Sequence, residues 1–99
     1  MYSWKKKVGD IEVFILKDGE TEFGVETFSG TNQSEINELL KVNHRKTIET
    51  NFNAFLIKSG GKNILIDAGA GTLFGPVAGN LSKALEEVGV MNDDISNII

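Results

Sequence analysis

Among the acids of this sequence, Asp67 stands where chemistry is most easily done. It closes the apolar run Ile64-Leu65-Ile66 and opens the glycine-rich stretch Ala68-Gly69-Ala70-Gly71-Thr72-Leu73-Phe74-Gly75-Pro76. A carboxylate between a buried strand and a mobile loop occupies a position where functional residues gather. The plainer reading is that it accepts hydrogen bonds from the N–H groups of the turn that follows. The loop does not fit two phosphate-binding patterns. A dinucleotide fingerprint needs glycine where Phe74 stands, and a P-loop needs lysine where Pro76 stands. Leu73 and Phe74 could line an apolar cleft for a small molecule, or serve as packing anchors. His44 is the sole histidine and there is no cysteine, so neither a thiolate nor a histidine-rich zinc site can be assembled, and there is no cysteine nucleophile. No Gly-x-Ser-x-Gly elbow is present. His44 reads as an exposed helix-end residue interacting with the helix dipole. Glu86-Glu87 and Asp93-Asp94 are adjacent pairs, which do not face each other on a helix, and they read as solvated surface. From residue types alone, no catalytic residue and no metal ligand is assigned.

The elements that must position Asp67 are legible around it. Phe52–Lys58 and Lys62–Asp67 read as strands joined by the turn Ser59-Gly60-Gly61, because glycine accepts the positive φ of a tight hairpin. Three consecutive apolar residues, Ile64 to Ile66, predict a strand covered on both faces. Pro76 suits a first helical position, Val77, Leu81, Ala84, Leu85 and Val88 form the apolar stripe, and Gly89 terminates it. Asn92-Asp93-Asp94 is a turn or cap, and Ile95 to Ile99 begins a further β-rich run. Upstream, residues 8–17 alternate as a strand that Asp18-Gly19 ends as a turn. Residues 20–33 read as a loop with aromatic anchors. Ser34 caps a short helix beginning at Glu35, with Ile36, Leu39 and Leu40 on one side.

Ninety-nine residues allow one domain, so 1–99 is read as a single domain. The net charge of −4 offers no basic field for nucleic acid, and Lys5-Lys6-Lys7 reads as a solvated tail. No apolar run approaches the ~20 residues that span a bilayer, and no signal peptide is visible, so neither nucleic acid nor membrane is an expected partner and the expected address is cytoplasmic.

The stretch Asn53-Ala54-Phe55-Leu56-Ile57, then Gly60-Gly61, then Ile64-Leu65-Ile66-Asp67-Ala68-Gly69-Ala70-Gly71, resembles the front of metallo-β-lactamase-fold hydrolases. The continuation Leu73-Phe74-Gly75-Pro76, with Gly79 and Leu81, is similar to the methyl parathion hydrolase and lactonase-like branch. Ala68 departs from the more usual Thr. The resemblance implies an αβ/βα sandwich of which this chain is one half. The expected half is α+β, a mostly antiparallel sheet with two helices on one face. It also implies that Asp67 is an acid beside the metal site, organising it without being a primary ligand. Asp67, Gly69, Leu73 and Phe74 are then the substrate-pocket or site-organising candidates. In that family a His-x-His-x-Asp-His motif supplies most of a dinuclear zinc site. The motif does not occur in these 99 residues, so no cofactor is expected in this chain and catalysis by it alone is not expected. Two functions remain open. One is a truncated, non-catalytic domain that self-associates as a homodimer to cover an apolar sheet face. The other is the N-terminal fragment of a zinc-dependent hydrolase of esters, lactones or organophosphates whose ligands lie beyond residue 99.

Overall fold

The structure, a computed structural model, describes residues 2–99. The chain forms two compact units, Met1–Glu20 with Asn51–Ile99, and Thr21–Thr50. Five strands lie in the order β1-β2-β3-β4-β5 in one sheet. They are β1 Ser3–Val8, β2 Ile11–Phe23, β3 Ile48–Ser59, β4 Lys62–Ile66 and β5 Asn97–Ile98. The helices are α1 Gln33–Val42 and α2 Leu81–Glu87. Pairing is antiparallel between β1 and β2 and between β3 and β4, and parallel between β4 and β5. A parallel neighbour needs a crossover connection, and α2 supplies it. The fold is therefore α+β with a mostly antiparallel sheet, as the sequence predicts.

In the first unit, alternation sorts the strands into two faces. Phe14, Leu16, Ala54, Leu56 and Leu65 point to the side where Ala84 and Leu85 of α2, with Val90, complete the core. The opposite face carries Trp4 opposite Ile15, Phe55 opposite Ile66 and Ile57 opposite Ile64. Ile64 and Ile66 remain partly exposed while Leu65 is buried, so β4 is covered on one face and not on both. The reason is that α2 lies on a single side of the sheet. Gly60 and Gly61 sit at φ 56° and 78°, the paired positive values of a type I′ hairpin turn, whose twist matches that of the strands it joins.

Several local expectations are corrected. Lys5-Lys6-Lys7 is not a tail. It is the middle of β1, and Lys5 pairs with Glu12 on β2 at 3.1 Å. Lysines suit a strand at a sheet edge, where their charge discourages further pairing. Asp18-Gly19 is not a turn, because β2 runs through it to Phe23. Helix α2 starts at Leu81. Pro76 belongs instead to a 3-10 turn over Gly75–Val77, and Ala78 is extended. The cause is close packing. A Cβ on Gly19 would overlap the Val77 carbonyl oxygen and stand 2.5 Å from Ala78 Cα, so this segment lies flat against β2 and cannot coil there.

In the second unit, α1 begins one residue before Ser34. Asn32 caps it, its Oδ1 accepting from the Ser34 N–H at 2.9 Å. His44 follows the helix in a left-handed conformation at φ 57° and is exposed, as a helix-end residue should be. Arg45 pairs with Glu49.

Candidate functional site

Strand β4 delivers Asp67 to the sheet end, and the backbone turns sharply there. Asp67 adopts φ 71°, a left-handed conformation that aspartate tolerates better than most residues. Its Oδ1 accepts the N–H of Ala68 at 2.7 Å and of Gly69 at 3.1 Å. Its own N–H donates to the Ile99 carbonyl at 2.9 Å, which ties the turn to the residue after β5. The carboxylate thus holds the start of the glycine-rich loop, while its exposed side faces an open cleft of about 440 Å³.

All four residues singled out in the sequence line that cleft: Asp67, Gly69, Leu73 and Phe74. Phe74 stacks on Phe52 of β3, with ring centroids 4.8 Å apart and planes 20° from parallel. Leu73 is 80% exposed and forms an apolar rim. The resulting wall is flat and aromatic on one side and carries a carboxylate on the other. Such a cleft suits a small molecule with an apolar portion and one hydrogen-bonding group.

Sequence reasoning missed two contributors. Phe52 was legible only as a strand residue, since nothing local says that it meets Phe74. Asp18 was read as a turn residue, yet it is 1% exposed and is the single buried charged side chain among the described residues. Its Oδ2 accepts the Ala70 N–H at 2.7 Å and its Oδ1 the Leu81 N–H at 2.9 Å. Its carbonyl accepts both the backbone N–H of Asn80, at 2.9 Å, and the Asn80 side-chain amide, at 3.0 Å. One signal was available. Asp18 continues the Phe14, Leu16 alternation and therefore points to the buried side.

The cleft does not fit a zinc centre built from this chain. Among the described residues no three His, Cys, Asp or Glu side chains gather as metal ligands. Of the two carboxylates lining the cleft, that of Asp18 is engaged by backbone donors on both oxygens, and Oδ1 of Asp67 accepts two backbone N–H bonds. No helix among the described residues is long and apolar enough to cross a membrane.

No family model matches the sequence, and no curated protein matches it. Solved structures do. The lactonase AidC, described as a dizinc quorum-quenching enzyme in complex with a homoserine product, is 34% identical, with a TM-score of 0.90 over 98% of this chain and 34% of its own. The hydrolase AbOPH of the β-lactamase superfamily is 29% identical, with a TM-score of 0.89 over 98% of this chain and 34% of its own. A probable metal-dependent hydrolase from Staphylococcus aureus, 22% identical, shares the fold with a TM-score of 0.69 over 94% of this chain and 38% of its own. The chain thus spans about a third of the length of the structures it matches. In residue pattern and backbone the chain is similar to about a third of these β-lactamase-superfamily structures, and an N-terminal piece of that fold fits it.

Proposed function

We propose that this chain is a metallo-β-lactamase-like half-domain that does not catalyse by itself and closes its open sheet face by associating with a second copy. The observation that carries this reading is the face opposite α2. It presents Trp4, Ile11 and Phe55, at 48%, 38% and 37% exposure, beside the partly exposed Ile15, Ile57, Ile64 and Ile66. Soluble monomers rarely leave a contiguous apolar surface of that extent open. Covering ~500 Å² on each of two chains at ~25 cal/mol/Å² is worth ~25 kcal/mol before association costs. A two-fold arrangement lets one patch meet itself. Sedimentation at low micromolar concentration is expected to show a dimer. A well-dispersed monomer at that concentration would sink this reading.

A second reading is favoured by the cleft. Asp67, Phe52 and Phe74 form a preshaped wall, and the chain is about a third identical to a dizinc lactonase. In that case the chain is the front of a zinc-dependent hydrolase of esters, lactones or organophosphates, with metal ligands supplied by residues outside these 99. Both readings predict that the purified chain retains no stoichiometric zinc after dialysis against a weak chelator. Elemental analysis giving about one zinc per chain would contradict both.

A further inference from the structure

We propose that the Asp18 carboxylate is the positioning group of the Asp67 cleft, serving as a built-in anion around which the loop from Gly69 to Leu81 is wrapped. The loop has the glycine content of an anion cradle but no external anion pattern, and the N–H groups at its two ends are committed to Asp18. The N–H groups of Ala70 and Leu81 converge on the two oxygens of one buried carboxylate, at 2.7 and 2.9 Å. Backbone N–H groups gathered in this way favour negative charge, and bonds to an ionised acceptor are stronger than neutral ones. The fit is steric as well. A Cβ on Gly69 would stand 2.9 Å from Asp18 Oδ1, so the loop closes on the carboxylate with no room for a side chain between. The Asp18 carbonyl takes two further bonds from Asn80, which fixes the far end of the same loop.

Leu73 and Phe74 lie inside that loop, Leu73 largely exposed and Phe74 stacked on Phe52. Where Phe74 sits against Phe52, and how wide the cleft opens beside Asp67, is therefore set from β2 by a residue whose two carboxylate oxygens are taken by backbone N–H groups of the loop. The role concerns the shape of the cleft. It holds whether the chain works as a dimer or as part of a longer hydrolase, so its failure is separable from theirs.

The test is amide hydrogen exchange on the full chain carrying Asp18→Ala or Asp18→Asn. In Asp18→Ala, exchange at Ala70 and Leu81 should rise about tenfold or more beyond any rise at Leu56 and Leu65, whose N–H groups report the sheet core. Sodium formate replacing sodium chloride at equal ionic strength should return much of the lost protection, because formate supplies the missing carboxylate. Asp18→Asn keeps one acceptor and turns an N–H₂ toward the second donor, so it should lose protection at one of the two amides and gain nothing from formate. Protection lost evenly across core and loop in Asp18→Asn would reduce Asp18 to an ordinary buried residue and overturn the proposal. Equal behaviour of Asp18→Ala in formate and chloride would overturn it as well. If Asp18→Ala folds only with formate present, the built-in anion is confirmed directly.

Discussion

At the scale of single residues, Asp67 does two jobs with one side chain. Its carboxylate caps the Ala68 and Gly69 N–H groups, and its backbone holds a left-handed conformation. The two can be separated by substitution. Asp67→Ala loses the acceptor and adds the cost of a left-handed alanine, so a loss of about 1–2 kcal/mol is expected. Asp67→Gly loses the acceptor but relieves the backbone, and should cost less. Asp67→Asn keeps an acceptor and tolerates the conformation, and should lie nearest to the parent. Urea denaturation of the three variants checks that order. A glycine variant less stable than the alanine variant would show that backbone geometry plays no part.

At the scale of elements, two devices fix the sheet that carries the cleft. The first is the hairpin turn. Gly61 at φ 78° has open space around it, so Gly61→Ala meets no clash and should still cost about 1 kcal/mol from the left-handed backbone alone. Gly61→Asn should recover much of that loss, and thermal midpoints of the two variants test the difference. The second device joins β1 to α2. The Tyr2 N–H donates to both Glu87 oxygens, at 2.9 and 2.8 Å, and Ser3 Oγ donates at 2.8 Å. The Tyr2 backbone bond, followed by the Ser3 hydroxyl bond, holds the Glu87 carboxyl below the usual carboxylate range. A carboxyl whose pKa is lowered by folding adds stability above its unfolded value and loses it as the pH falls through the folded one. The parent should therefore exceed Glu87→Gln in stability near neutrality, and the gap should close as the pH falls through the lowered folded-state value. A gap that persists unchanged in acid, measured by chemical denaturation across pH, would remove the charge from this account. The group is fully exposed, so the effect should be small and sensitive to salt.

At the scale of the whole molecule, one-sided helix cover leaves an apolar sheet face, which the proposed dimer would close. Ile57 sits on that face opposite Ile64, away from the cleft. Ile57→Asp should leave the fold intact, because its position is outside the core formed by Leu56, Leu65 and α2. It should weaken association by at least tenfold, since a charge would be desolvated against apolar surface. Sedimentation of parent and variant over a concentration series measures this. The chain has a single tryptophan, Trp4, on the same face, so its emission should shift to the blue with concentration in the parent and not in the variant.

What the sequence determined by itself is local and periodic. Alternation and the Gly60-Gly61 pair specify the β3–β4 hairpin. The apolar stripe from Leu81 to Val88 and the glycine after it specify α2. The order of hairpin, Asp-x-Gly loop, helix and strand marks the hydrolase fold, and it brings Asp67, Gly69, Leu73 and Phe74 to one cleft. What tertiary structure decided is wherever a long-range contact outweighs a local preference. Asp18-Gly19 is a strong turn signal, yet it lies in a strand. Its carboxylate meets N–H groups 52 and 63 residues away, and its glycine lets Val77–Ala78 lie against β2. Burying that acid is tolerable because both of its oxygens find donors there. The same close packing delays α2 from Pro76 to Leu81. Which residue from β3 faces Phe74 was likewise set by sheet register, to which no spacing within the loop is sensitive.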